Sequence, residues 1–340
     1  MSQHENGTAS SVVAIGGSVG AIPVLRQILR ELPVELPAAV VVVLHQHQNG
    51  PRILPAVLGD GAVLPIAYAE EGQSIEPGRV YLAPPDRHVL IEGRHLHVTA
   101  GPKENGHRPA IDPLFRTAAQ AYGPTAVGGI LSGDLDDGIV GLIHLHRAGG
   151  YAIVQDPQEA VAPSMPATAM AYAHVDAVLR AAEISRELVR HVRELWNKRT
   201  AAEAKVIANP NPSLSSVGGP ATQPVTTNEA EPPGPPSAFT CPSCGGAIWE
   251  ITEGGTARYR CHVGHSYGQD SFVAQQSDNV ESALYAAMRL LRDQANLYRR
   301  VAGRAHAGLN PLVSSSDAFR ERAEQADQKA ETLRKLLLER

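Results

Sequence analysis

The sequence predicts an α/β protein: a doubly wound, mostly parallel sheet with helices on both faces, followed by a small zinc-ribbon-like module and a C-terminal helical hairpin. Three observations carry this. From about Val12 to Val192, short apolar runs alternate with amphipathic stretches. The first of these runs ends in glycines and passes directly into a helical pattern, VVAIGGSVGAIPVLRQIL. All three cysteines fall between Cys241 and Cys261, ahead of two long helical patterns.

In chain order, VVAIG reads as a strand, Ile22 to Glu31 as a helix, AVVVVLH as a strand and Arg52 to Leu58 as a helix. RVYLAP, HVLIE and HLHVT follow as short strands, and the pair around Val80 to Val98 is expected to form an antiparallel excursion. Pro113 to Ala121 reads as a helix, AVGGILSG as a strand, Gly138 to Ala148 as a helix, AIVQ as a strand and Ile184 to Trp196 as a closing helix. Runs as continuously apolar as AVVVVL suit parallel strands covered on both faces.

At 340 residues, 43% hydrophobic and 19% charged, the chain is long enough for more than one unit. The expected division is an N-terminal tail over 1–11, the α/β domain over 12–199, a Pro/Ser/Thr-rich linker over 200–238, the ribbon over 239–275 and the helices over 276–340. A linker of that composition has too few apolar groups to offset the entropy of ordering. A net charge of −5 gives no basic footprint for nucleic acid or anionic lipid. The longest wholly apolar stretch, Ala38 to Leu44, falls far short of the ~20 residues that span a bilayer, and MSQHENGTAS has no basic region leading into an apolar core. No membrane insertion and a cytoplasmic location are expected.

Ser18 sits where the first strand turns into its helix. A dinucleotide fold also uses a glycine-rich turn there, but it places an acidic residue at the end of the second strand, where this chain has His45. Gly16-Gly17-Ser18-Val19-Gly20 satisfies G-x-S-x-G, whose sharp turn exposes a hydroxyl and aims the helix-start N–H groups, beginning with Val19, at an oxyanion. A third strand runs into ILSGDLDDG, with Asp134, Asp136 and Asp137. Serine, histidine and aspartate on strand ends of one rim are the constellation for acyl transfer.

The blocks AIGGSVGAIPVLRQIL, VVVLH, YLAPPDRH, HRPAIDPLF and AVGGILSGDLDDGIVGL, in this order and spacing, resemble the catalytic domain of the CheB-type protein-glutamate methylesterases, over about Val12 to Val192. The resemblance implies Ser18 as nucleophile, His45 as base and Asp137 as the third member, acting on glutamyl methyl esters of chemoreceptor helices, with glutamine deamidation as a second activity and no catalytic cofactor. It also implies a backbone N–H near Asp134 in the site and places His107, Arg108 and Asp112 at its rim, either positioning substrate or bracing a loop. Two departures stand out: Gly20-Ala21 replaces a usual Gly-Gly, and Gln46-His47-Gln48 follows His45, which makes His47 a rival base. Family members commonly carry an N-terminal receiver domain, whereas eleven residues precede the first strand here, so control is expected from a separate response regulator.

Asp134 and Asp136 are otherwise expected to solvate their loop, and His88, His95, His97, His144 and His146 to be surface or packing residues. Cys241-x2-Cys244, then sixteen residues, then Cys261-x3-His265 is a paired spacing able to close tetrahedrally on structural zinc, with His262 as the competing fourth ligand. With a disordered linker in between, small-ester hydrolysis is expected to survive metal loss. The stripes Val280, Leu284, Ala287, Leu291, Tyr298, Val301 and Phe319, Ala323, Ala326, Ala330, Leu333, Leu337 predict a helical hairpin or a coiled-coil dimer, hence possible self-association. Two function classes follow: a serine esterase acting on a methylated receptor, or a non-catalytic scaffold that retains the esterase fold. Intact Ser18, His45 and Asp137 favour the first.

Overall fold

The computed structural model describes residues 9–208, 236–253, 255–306 and 316–338. The chain divides into two units, Met1–Phe272 and Val273–Arg340. Residues 1–8 of the expected N-terminal tail and 209–235 of the expected linker lie outside the described residues.

The first unit is built on a seven-stranded parallel sheet in the order β3-β4-β2-β1-β7-β8-β9. These strands are β1 (Val12–Gly17), β2 (Ala39–Leu44), β3 (Ile66–Tyr68), β4 (Val80–Leu82), β7 (Ala126–Ile130), β8 (Tyr151–Gln155) and β9 (Ala177–Leu179). Side chains alternate across the sheet, as strand geometry dictates. Val12, Ala14, Val41 and Val43 face α3 (Ile111–Tyr122) and α4 (Ile139–Arg147) through Leu114, Phe115 and Leu142. Val13, Ile15, Val40 and Val42 face α1 (Ala21–Glu31), α2 (Leu54–Gly59) and α6 (Ala181–Ala208) through Leu25, Ile28, Leu58, Ile184 and Leu188. In α1 the buried set Ala21, Leu25, Ile28 and Leu29 is one helical stripe. α5 (Ser164–Tyr172) completes the layer beside α4.

The antiparallel excursion is smaller than the sequence suggests. Val80–Leu82 belongs to the main sheet, parallel to β2 and β3, and only β5 (His88–Glu92) and β6 (His95–Thr99) pair antiparallel. Two glycines set the turns that matter most: Gly20 (φ 79°) before α1 and Gly138 (φ 94°) before α4 both adopt the left-handed conformation that leads a strand sharply into its helix. α6 runs on to Ala208, through residues expected to begin the linker.

The cysteine module consists of three antiparallel strands, β10 (Ile248–Glu253), β11 (Thr256–Cys261) and β12 (Ser266–Gly268). Its core is slight: Cys241, Ile248, Cys261, Tyr267 and Phe272, with Tyr259 stacked on Phe272 at 4.4 Å. Contrary to the expectation of a module set apart on a tether, it packs against the α/β domain. Arg258 reaches Glu104 at 2.5 Å, Glu104 also takes both ends of the Arg116 guanidinium, and Glu253 meets His144 at 2.5 Å. The backbone joins in, with Asn105 N–H donating to Ser266 C=O at 2.7 Å. Burial would raise Glu104, but the charges of Arg116 and Arg258 hold it down at about 2.

The first turn of α7 (Gln269–His306) still belongs to the first unit, and in the second unit the rest of α7, from Val273 on, and α8 (Ser316–Leu338) form a helical hairpin. Small residues, Ala295, Ala302, Ala323, Ala326 and Ala330, are buried at the seam, where Tyr298 meets Phe319 and Arg299 pairs with Asp327. Among the described residues no helix is long and apolar enough to cross a membrane.

Candidate active site

Three strand ends meet at one rim. β1 and β2 run in register with Gly17 opposite Leu44, so Ser18 and His45 leave the sheet side by side, and His45 N–H donates to Gly17 C=O at 3.1 Å. β7 lies on the other flank of β1, where Ser18 N–H donates to Ser132 C=O at 2.9 Å. Strand order reverses between β1 and β7, and in an open α/β sheet that reversal leaves a crevice at the carboxyl ends.

The serine turn is braced from behind. The Ser132 hydroxyl donates to Val19 C=O at 2.7 Å and accepts the Ala162 N–H at 2.9 Å. Ser18 is half-buried and its hydroxyl makes no hydrogen bond to His45 among the described residues, while the Val19 N–H has no acceptor there. His45 is nearly buried, with Nε2 2.7 Å from Asp137 Oδ2 and its ring stacked on His107 at 3.6 Å. His47 is exposed in a turn closed by Gly50 N–H to His47 C=O.

Asp137 is 1% exposed and accepts four hydrogen bonds. Besides His45, Ile111 N–H reaches Oδ2 at 2.7 Å, and Asp112 N–H and the Asn105 side-chain amide reach Oδ1 at 3.1 and 2.8 Å. Ile111 and Asp112 open α3, so a helix N-terminus faces the carboxylate. Burial alone would raise Asp137, but the hydrogen bond and charge of His45, with the Ile111 N–H, hold it well below the usual carboxylate range. Asp112 is pushed the other way, first by burial and then by the Asp137 charge. Its carboxylate accepts Gly141 N–H at 2.7 Å and the second Asn105 amide hydrogen at 3.0 Å. Burial, then the neighbouring His45, brings His107 down to about 4, so it covers His45 as a neutral ring at pH 7.

The remaining polar residues divide by what they touch. Asp134 is exposed. Asp136 does not solvate its loop: its buried carboxylate accepts Asp270 N–H at 3.0 Å, Ser271 N–H at 3.2 Å and the Ser271 hydroxyl, capping the first turn of α7. Arg108 grips Asp86 at 2.7 and 2.9 Å and the carbonyls of Ala100 and Gly101, which braces the loop before α3. His88 is interior, bonded to Pro102 C=O and Ala110 N–H, and His144 belongs to the contact with the cysteine module. Nothing in the sequence singles out Asn105, nor the stacking of His107 on His45. Both lie in an irregular loop with no hydrophobic period.

The four spaced ligands also converge. One donor atom each from Cys241, Cys244, Cys261 and His265 lies within 4.8 Å of the others. Cys244 to Cys261 sulfur is 3.8 Å, and His265 Nδ1 is 3.8 and 3.5 Å from the Cys241 and Cys261 sulfurs. A tetrahedral zinc with bonds of about 2.3 Å to sulfur needs sulfurs about 3.8 Å apart, so the donor set fits that ion in size and in chemistry. Two tight turns support it, with Gly245 (φ 71°) and Gly264 (φ 100°) letting backbone N–H groups face the sulfurs of Cys241 and Cys261. His262 packs against Gly246 and is not among the four.

The fold and rim together define a doubly wound α/β domain carrying serine, histidine and aspartate on three neighbouring strand ends. Residues 13–188 match the family described as CheB methylesterase, and the chain belongs to that family. It is 40% identical over 190 residues to an Anaeromyxobacter dehalogenans protein named protein-glutamate methylesterase/protein-glutamine glutaminase 3, covering 55% of this chain and 54% of that one. A Rhizobium johnstonii protein-glutamate methylesterase/protein-glutamine glutaminase 2 is 35% identical over 186 residues, 54% of this chain and 51% of that one. The chain thus spans about half the length of the curated relatives it matches. The crystal structure of the Thermotoga maritima CheB methylesterase catalytic domain superposes with a TM-score of 0.51 at 31% identity, covering 53% of this chain and 97% of that domain.

Proposed function

We propose that the chain is a serine esterase that removes methyl groups from glutamyl γ-esters of chemoreceptor-type helices, with Ser18, His45 and Asp137 as its catalytic residues. The observation that carries this is the buried Asp137–His45 pair at 2.7 Å, set on the strand ends beside the half-exposed Ser18. The names of the relatives support the substrate class.

His45 commits Nε2–H to Asp137, so its lone pair is on Nδ1, which takes the Ser18 proton as the hydroxyl oxygen attacks the ester carbonyl. The Val19 N–H is a donor for the resulting oxyanion. Collapse of that intermediate breaks the bond to methoxide, His45 returns the proton, and methanol leaves a glutamyl ester on Ser18. A water molecule, deprotonated in turn by His45, hydrolyses it to glutamate and free serine. A glutamine side chain enters the same cycle with ammonia as leaving group, which is the deamidation named for the relatives. Asp137 stays ionised throughout, stabilising the imidazolium.

The contacts of the two histidines set the test. On a peptide containing glutamate γ-methyl ester, His45→Ala is expected to lose nearly all methanol release, whereas the exposed His47→Ala keeps it to within a few-fold. The reverse ranking would assign the base to His47. A non-catalytic scaffold predicts no release from the wild-type chain.

The cysteine module is proposed to hold one structural zinc through Cys241, Cys244, Cys261 and His265. With all four positions filled by protein, the metal supplies rigidity to a module whose own core is small. Purified protein is expected to carry about one equivalent of zinc, reduced in Cys244→Ser and unchanged in His262→Ala. Metal loss in His262→Ala but not in His265→Ala would reassign the fourth ligand.

A further inference from the structure

Asn105 joins two parts of the molecule that the sequence separates. Its Oδ1 accepts the N–H of Gly268, at the end of β12, at 2.7 Å. That single contact fixes the plane of the amide, so Nδ2 must point the other way, where it divides its hydrogens between Asp137 and Asp112. A flipped amide would place its oxygen against both carboxylates. The backbone of Asn105 is held as well, with φ at 50°, a left-handed conformation that asparagine tolerates, and with its N–H on Ser266 C=O. Next to this contact, Asp136 takes the N–H groups of Asp270 and Ser271, and a Cβ on Gly268 would collide with the Asp136 carboxylate. The junction Gly268–Ser271 therefore grips two residues, Asn105 and Asp136, that contact or adjoin the aspartate of the candidate triad.

Resting on the esterase reading above, we propose that Asn105 is a positioning residue for Asp137, and that the docked cysteine module, through the Gly268 N–H, holds it in the productive orientation. The module is thus part of the catalytic architecture. Asp137 has two carboxylate oxygens to aim, and Oδ1 is fixed by Asn105 and the Asp112 N–H while Oδ2 meets His45. Without the amide, Oδ1 loses one of its two donors, and the carboxylate is less constrained in the plane in which it orients the imidazole.

The test uses full-length chain, p-nitrophenyl acetate as a small ester that needs no receptor docking, and Asn105→Ala, Gly268→Ala and the double variant. Asn105→Ala is expected to lower kcat by about 10- to 100-fold, the range for groups that orient a ligating or catalytic side chain, with KM held. Gly268→Ala keeps the N–H, but its Cβ meets the Asp136 carboxylate and must push the Gly268 backbone away from Asn105, so it should lower kcat in the same way. The double variant should be no worse than Asn105→Ala, because both variants break the same Asn105–Gly268 contact. Amide exchange gives a readout independent of turnover: the Ile111 and Asp112 N–H groups, which donate to Asp137, should exchange faster in Gly268→Ala. Unchanged kcat and unchanged exchange in Gly268→Ala would overturn the proposal, as would losses that multiply in the double variant or fall on KM alone. A wild-type chain that hydrolyses no ester would sink the esterase reading, while the exchange measurement would still decide whether the module holds the aspartate.

Discussion

Ser18→Ala is expected to lower kcat for methyl ester hydrolysis by about 10⁴- to 10⁶-fold, with folding stability within about 0.5 kcal/mol of wild type. The first number follows from loss of the proposed nucleophile, after which only oxyanion stabilisation and binding remain. The second follows from the surroundings of the hydroxyl. Ser18 is only partly buried and its hydroxyl has no hydrogen-bond partner among the described residues, so its removal strands no buried partner there. The backbone contact that holds the turn, Ser18 N–H to Ser132 C=O, is untouched by the substitution. Steady-state kinetics and thermal unfolding measured side by side check both halves. Turnover retained within tenfold would remove Ser18 from the mechanism, and a large drop in stability would make the serine a structural turn residue.

Asp137→Asn is expected to cost both rate and stability. Four donors converge on this carboxylate, from His45, Ile111, Asp112 and Asn105. An asparagine offers them one carbonyl oxygen, and its NH₂ must face groups that also donate. The histidine then loses the acceptor that fixes its tautomer, and kcat should fall by about 10⁴ by analogy with other triads. At least one buried donor is left unpaired, a destabilisation of about 1–3 kcal/mol. The same change removes the charge that helps push Asp112 up, so Asp112 should titrate lower in the variant. A variant as active as wild type would show that Asp137 acts on structure alone.

Much of this site was legible in the chain because its signals are local. A glycine-flanked serine directly after an apolar run, a histidine directly after the next run and a DDG turn after a third each mark a strand end without any knowledge of packing. The cysteine and histidine spacing was readable for the same reason. Long-range contacts were not. Glu104 and Arg258 stand 154 positions apart, and neither carries a pattern that announces the other, so the sequence does not show that the cysteine module packs on the domain. The same gap hid the second role of the DDG turn, in which Asp136 caps α7 while its neighbour Asp137 meets His45. Val80–Leu82 joins the main sheet and not the hairpin that follows, and three apolar residues carry no information about which sheet they join. β3 and β9, equally short and only partly buried, gave too weak a pattern to be read.

The central claim is that this chain hydrolyses glutamyl methyl esters at Ser18. Its most direct test is methanol release from a chemoreceptor signalling fragment methylated in vitro, with the purified full-length chain and Ser18→Ala in parallel. The account predicts that the wild-type chain releases methanol in step with loss of esters from the receptor, and that the variant releases none above background. A receptor that keeps its esters in the presence of folded wild-type chain, or an equal release by both proteins, would contradict it.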